Sequence, residues 1–234
     1  MPKQLTFTFP LKNETTFENF YPGKNHILFQ LIKNFSEQPN IFCAYLWGAS
    51  GAGKTHLLQA ACSDKNQKAH YSAAYLPLAH LKNSSPELLK ELESLSLVCI
   101  DDIDAISQNP AWEEALFHFY NNMQANHNHL ILSSTISPQN LAIQLPDLKS
   151  RIAASFVIEI KPLSDEEKLA VLKTRAQIRG FDLSEEAMEF LINHFPRDMT
   201  KLIDMLNQLD EASLTEKRRI TIPLIKKVLD HGKN

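Results

Sequence analysis

Glycines at 48, 51 and 53, followed at once by Lys54 and Thr55, have the composition and spacing of a loop that wraps phosphate. In Gly48-Ala49-Ser50-Gly51-Ala52-Gly53 the glycines let backbone N–H groups close around phosphate oxygens, and the helix N-terminus behind them adds positive potential. Lys54 then reaches the β- and γ-phosphates, and the Thr55 hydroxyl ligates Mg²⁺. A second run, Leu97-Val98-Cys99-Ile100-Asp101-Asp102, is an apolar strand ending in two carboxylates. Beside a phosphate loop such a strand assigns Asp101 to the magnesium side and Asp102 to polarising an attacking water. Leu130-Ile131-Leu132-Ser133-Ser134-Thr135 ends in hydroxyls. There Ser134 or Thr135 contacts the γ-phosphate or the lytic water, unless the hydroxyls only shape the turn.

These groups need a strand before the loop and a helix after it. Ile41–Trp47 is apolar and precedes Gly48, and His56-Leu57-Leu58-Gln59-Ala60-Ala61-Cys62 follows with helical character. Further short strands are expected at Ala69–Leu76, Leu97–Asp101, Leu130–Ser133 and Phe156–Ile160, alternating with helical stretches. A helix over His26–Phe35 places Ile27, Leu28, Leu31 and Ile32 on one face. Ser85 caps another that starts with Pro86. After Lys161-Pro162 the strand signal ends. Ser164 and Glu167 form a capping box, Gly180 stops the helix that follows, and further helices are expected near Ser184–His194, Asp198–Ser213 and Ile222–His231. The fold class is therefore α/β: a parallel five-stranded sheet sandwiched by helices, followed by a small all-helical lid. The divisions fall at 1–16, a detached arm, 17–161, the nucleotide domain, and 162–234, the lid.

Composition narrows the function. A hydrophobic content of 44% with 22% charged residues is that of a globular chain with a real core. No apolar run is long enough to span a bilayer, and the N-terminus lacks the pattern of a secretory signal, so a cytoplasmic location is expected. Cys43, Cys62 and Cys99 sit within apolar runs without C-x-x-C spacing and read as buried thiols. His70, His80, His127 and His129 lack ligand spacing. Net charge is −3, which argues against a dedicated nucleic-acid binder, and Lys217-Arg218-Arg219 reads as a solvated turn.

Several segments together resemble the AAA+ proteins of the bacterial replication-initiator group, and within it the Hda proteins that inactivate DnaA. They are Thr16 to Asn25, the phosphate loop, Leu95 to Ile103, Leu145 to Ile152, Pro162 to Lys168, Arg179 to Phe181 and Gln208 to Ser213. The resemblance implies that Phe20, Tyr21 and Pro22, within Phe20 to Asn25, frame an adenine, with His56 in the same nucleotide-binding set. It implies that Ser134 and Thr135 are the first sensor region and that Arg151 is an arginine finger serving a neighbouring subunit's nucleotide. The lid position at which the family commonly carries a second-sensor arginine is here Thr200, with Lys201 beside it. That departure is compatible with a resident ADP rather than efficient self-hydrolysis. The implied cofactors are ADP or ATP with Mg²⁺.

Gln4-Leu5-Thr6-Phe7-Thr8-Phe9 resembles the Gln-Leu-x-Leu-x-Leu motif by which replication proteins dock into the DNA polymerase sliding clamp. An extended strand throws Leu5, Phe7 and Phe9 to one side and leaves Gln4 for the pocket rim. A strand packed on its own domain is the alternative. The implied partners are the DnaA initiator and the sliding clamp, with DNA met only through the clamp, no membrane, and homo-oligomerisation left open. The implied role is a replisome-associated adaptor that promotes hydrolysis of DnaA-bound ATP and so prevents re-initiation. A self-sufficient ATPase acting as a helicase- or clamp-loading factor is the alternative. A DNA-binding paralogue of the initiator is weaker, because the pI is acidic and no helix-turn-helix domain is expected after the lid.

Overall fold

Five short apolar runs pair as one parallel sheet in the computed structural model, which describes residues 15–38, 40–68, 71–216 and 219–230. The strands are β1 (Cys43–Trp47), β2 (Ala73–Pro77), β3 (Leu97–Asp101), β4 (His129–Ser134) and β5 (Phe156–Glu159), in the order β2-β3-β4-β1-β5. β3 is buried along its whole length, as a strand covered on both faces must be, which is why it reads as an unbroken apolar run. The register sets Trp47 against Ser134, Ile100 against Leu132 and Pro77 against Asp101. The carboxyl ends of β1, β4 and β3 therefore lie side by side, the place where open parallel sheets take their ligands.

The chain divides into two compact units, one running to Lys161 and one from Pro162, with Ser50–Ala52 of the glycine loop grouped with the second. The first unit contains α1 (His26–Lys33), α2 (Lys54–Asn66), α3 (Leu78–Leu81), α4 (Pro110–Ala125) and α5 (Pro146–Ala154). Its core packs Val98, Ile100, Leu130 and Leu132 of the sheet against Trp112, Leu116 and Phe119 of α4. Asn109 caps α4 by accepting from the Trp112 N–H, and Pro110 fills the first helical position, where a missing N–H costs nothing. All three cysteines are buried free thiols.

Three local expectations change. In α1 the buried residues are Leu28, Phe29 and Ile32, whereas Ile27 is 87% exposed, so the apolar face is turned by one residue from the expected one. Phe29 takes the inner place because it stacks on Phe20 and meets Phe17 edge-on. The segment after Ser85 is a 3-10 helix, Pro86–Leu92, capped by the Ser85 hydroxyl. β2 begins at Ala73 rather than Ala69, and residues 69 and 70 lie outside the described ones.

The second unit consists of α6 (Asp165–Ile178), α7 (Glu185–His194), α8 (Met199–Glu216) and α9 (Ile222–Asp230). The capping box is formed: the Glu167 N–H donates to the Ser164 hydroxyl and the Ser164 N–H to the Glu167 carboxylate. Gly180, at φ +81, ends α6 in a left-handed turn that a side chain would strain. Leu172, Leu191, Leu202, Leu206 and Ile225 close a core belonging to this unit alone.

Candidate nucleotide-binding site

β1 delivers the chain to Gly48, whose N–H donates to the Ser134 carbonyl at 3.3 Å. A Cβ at Gly48 would stand 2.5 Å from the Ile160 carbonyl oxygen, so no larger residue fits between β1 and the chain leaving β5. Gly53 has φ +100, and a Cβ there would meet the Phe20 ring at 2.8 Å. Both glycines are thus required by close approach, not only by flexibility. α2 starts directly at Lys54, so the N-terminal end of the helix adjoins the loop. Lys54 is buried, and its ammonium donates to the Gly48 and Ala49 carbonyls at 2.8 and 3.0 Å. A buried cation held inside a glycine cradle at a helix N-terminus fits a polyphosphate.

Asp101 is 1% exposed, and three hydroxyls from three elements converge on it. Oδ2 accepts from the Thr55 hydroxyl at 2.6 Å and from the Tyr75 hydroxyl at 2.8 Å; Oδ1 accepts from the Ser133 hydroxyl. A threonine of the loop and a strand-end carboxylate in direct contact form the oxygen-donor pair that suits Mg²⁺. Asp101 and Ser133 are brought together because β3 and β4 are neighbours in register. Burial, with the Asp101 carboxylate next to it, pushes the Tyr75 hydroxyl well above its ordinary range, so it remains a donor.

Asp102 has φ 56, a left-handed conformation that aspartate tolerates better than most residues, and its N–H donates to the Ser133 hydroxyl at 3.3 Å. Burial raises its carboxyl above the usual value; Asp101 and Asp104 push the same way, and Lys54 and His80 oppose them. Ser134 is buried with its hydroxyl donated to Asp104 at 2.6 Å, and the Thr135 hydroxyl reaches the same carboxylate at 3.2 Å. Both predicted sensor hydroxyls are therefore engaged by Asp104, while Ser133, which the sequence did not single out, touches the acids. Tyr75 and Asp104 were not singled out either. Their only signal is a polar residue near the carboxyl end of a strand or just past it.

On the other flank Phe20 packs on Gly53, stacks on Phe29 and meets the His56 ring edge-on. His56 itself contacts the Thr16 carbonyl at 2.8 Å. Tyr21 is 40% exposed and Pro22 precedes the 3-10 turn Gly23–Asn25.

Other predicted residues stand elsewhere. Arg151 lies on α5, its guanidinium 5.7 Å from the Tyr120 ring centroid and 5.9 Å from that of Phe117, with Nη1 donating to Gln124. All three partners are on α4, and among the described residues Arg151 forms no ion pair. Phe117 also lines a cavity of about 450 Å³ that shares no residue with the glycine loop. Thr200 belongs to the second unit, where its N–H donates to the Asp198 carboxylate near the start of α8. Gln4, Leu5, Phe7 and Phe9 lie outside the described residues. No described helix is long and apolar enough to cross a membrane.

Comparison with known proteins places this geometry. The bacterial DnaA ATPase domain matches residues 11–159, and the lid domain of Hda matches residues 165–229. Domain III of the replication initiation protein DnaA from Thermotoga maritima superposes with a TM-score of 0.81 at 21% identity, over 95% of this chain and 98% of that one. AMPPCP-bound DnaA from Aquifex aeolicus gives a TM-score of 0.72 at 23% identity, over 84% of this chain and 65% of that one. The RuvB Holliday junction branch migration motor from Thermotoga maritima gives 0.66 at 19% identity, over 94% and 72%. These likenesses establish a shared AAA+ fold.

Proposed function

The chain belongs to the family of the bacterial DnaA ATPase domain, and from this premise, with its Hda-type lid, we propose that it is a regulatory adaptor that inactivates DnaA. It docks on the sliding clamp through Gln4, Leu5, Phe7 and Phe9 and promotes hydrolysis of the ATP held by DnaA, which prevents re-initiation of replication. The observation that carries this reading is the pairing of a DnaA-type ATPase domain with an Hda-type lid in one chain. It works in the cytoplasm at the replisome and meets DNA only through the clamp.

The adaptor's own site holds ADP or ATP with Mg²⁺. The loop from Gly48 to Gly53 and Lys54 take the phosphates, Thr55 and Asp101 take the metal, and the segment from Phe20 to Pro22 takes the base side. Thr55 and Asp101 would hold Mg²⁺, which would supply neutralising charge to the phosphates. Arg151 acts elsewhere. A finger neutralises transition-state charge from outside the site it serves, and Arg151, resting on aromatic rings without a carboxylate partner among the described residues, is a cation available to DnaA's nucleotide. The test follows decay of ATP pre-bound to DnaA in the presence of DNA-loaded clamp, with the wild type and Arg151→Ala. Stimulation by the wild type that falls by roughly 10³-fold in the variant supports a finger given in trans. No stimulation by the wild type would remove the adaptor reading.

A second reading, a self-sufficient ATPase, is favoured by the Thr55–Asp101 contact at 2.6 Å and the presence of both acids. Thr200 at the second-sensor position weighs against it. Fast turnover without any partner, abolished by Asp102→Asn, would favour this reading over the adaptor.

A further inference from the structure

Asn25 is 6% exposed, and its side chain satisfies both backbone groups of one residue 136 positions away. Nδ2 donates to the Lys161 carbonyl at 2.9 Å, and the Lys161 N–H donates to Oδ1 at 2.9 Å. A primary amide offers a donor and an acceptor at this spacing without any change of protonation, and the two bonds fix which way the amide points. Lys161 directly follows Ile160, whose N–H donates to the Trp47 carbonyl at 2.7 Å and whose own carbonyl abuts Gly48. Asn25 is therefore tied to the entrance of the phosphate loop. At the other end of the same segment Phe20 lies against Gly53, the loop's exit. The stretch from Tyr21 to Lys24 is held between two pins, one on each flank of the loop, and Tyr21 is left exposed between them.

We propose that Asn25 is a positioning residue for base recognition: by latching onto the Lys161 backbone it holds the Tyr21–Pro22 stretch where a nucleotide base is read, while the phosphate grip stays independent of it. The proposal rests on the nucleotide-binding reading and adds a division of labour within that site. A segment free to move at one end must be ordered by each ligand at the expense of affinity, and the latch removes that cost in advance.

Calorimetric titration of the full chain with Mg·ATP and with Mg·tripolyphosphate, which has phosphates and no base, separates the two roles. Asn25→Ala is expected to weaken ATP binding about tenfold, from two lost hydrogen bonds, with tripolyphosphate within about twofold of the wild type. In the wild type, hydrogen exchange at the Lys161 amide is expected to slow with ATP and not with tripolyphosphate, a measurement that needs no variant. Equal losses for both ligands, unchanged ATP affinity, or equal Lys161 protection by both would overturn the latch and leave the nucleotide site standing. A wild type that binds neither ligand would remove the site itself.

Discussion

Asp101 accepts hydroxyl hydrogen bonds from Thr55, Tyr75 and Ser133, three residues carried by α2, β2 and β4. Such an arrangement orients the carboxylate before any ligand arrives, so its cost is met in folding and not in binding. Tyr75→Phe removes one donor and keeps the ring. It is expected to destabilise the protein by about 1.5–3 kcal/mol, the range for a bond to a charged group, in urea melts. The same variant should need more Mg²⁺ to reach half-saturation with ATP, with binding of metal-free ATP little changed. Thr55 and Asp101 could be singled out in the sequence because a run of adjacent residues announces them. Tyr75 could not, because a tyrosine on a short strand has no local mark of what the next strand places beside it.

At the scale of elements, the start of α6 shows how local signals and longer contacts combine. Ser164 and Glu167 close a capping box four residues long, fully legible in the sequence. Asp165, inside the box at the first helical position, does something the sequence does not display: it accepts from Lys168 at 3.0 Å and from Arg197, just ahead of α8, at 2.7 Å. The Lys168 hydrogen bond holds the Asp165 carboxyl below its ordinary value of 3.8, and Arg197 adds to this. A depressed carboxyl contributes stability that is present above pH 3.8 and lost as the pH falls through its folded value. Asp165→Asn should therefore lower the stability of the second unit at pH 7 by about 0.2–1 kcal/mol, the range for partly exposed pairs. In melts at successively lower pH the gap between variant and wild type should close below the carboxylate range. A gap that widened on acidification would contradict the assignment. The turned face of α1 belongs to this scale as well. Ile27 and Phe29 are both apolar and nearly opposite on a helix, and periodicity could not choose between them; the rings of Phe17 and Phe20 did.

For the whole molecule, two separate cores within one chain predict two units of cooperative opening. Native-state hydrogen exchange should resolve them, with the central strands β3 and β4 among the last amides to exchange. On the proposed function, ATP with Mg²⁺ is expected to stabilise the first unit by about 2.7 kcal/mol at a hundredfold excess over its Kd. Protection of the sheet that did not respond to ATP would count against the site as drawn.

Features encoded within a few residues could be read from the chain alone: the glycine loop and its lysine, the strand with two acids, the helix caps, and the alternation of strands and helices that makes a layered α/β chain. These are legible because backbone turns, caps and periodic burial depend on neighbours along the chain. The order β2-β3-β4-β1-β5, and with it every contact that crosses the sheet, came from the three-dimensional packing. Ser133 meets Asp101 only because β4 lies beside β3. Asn25 meets Lys161 only because β5 lies beside β1 and returns the chain to the loop's entrance. Strand order is set by which buried faces pack best together, a property summed over the whole core, and no short run of residues carries it.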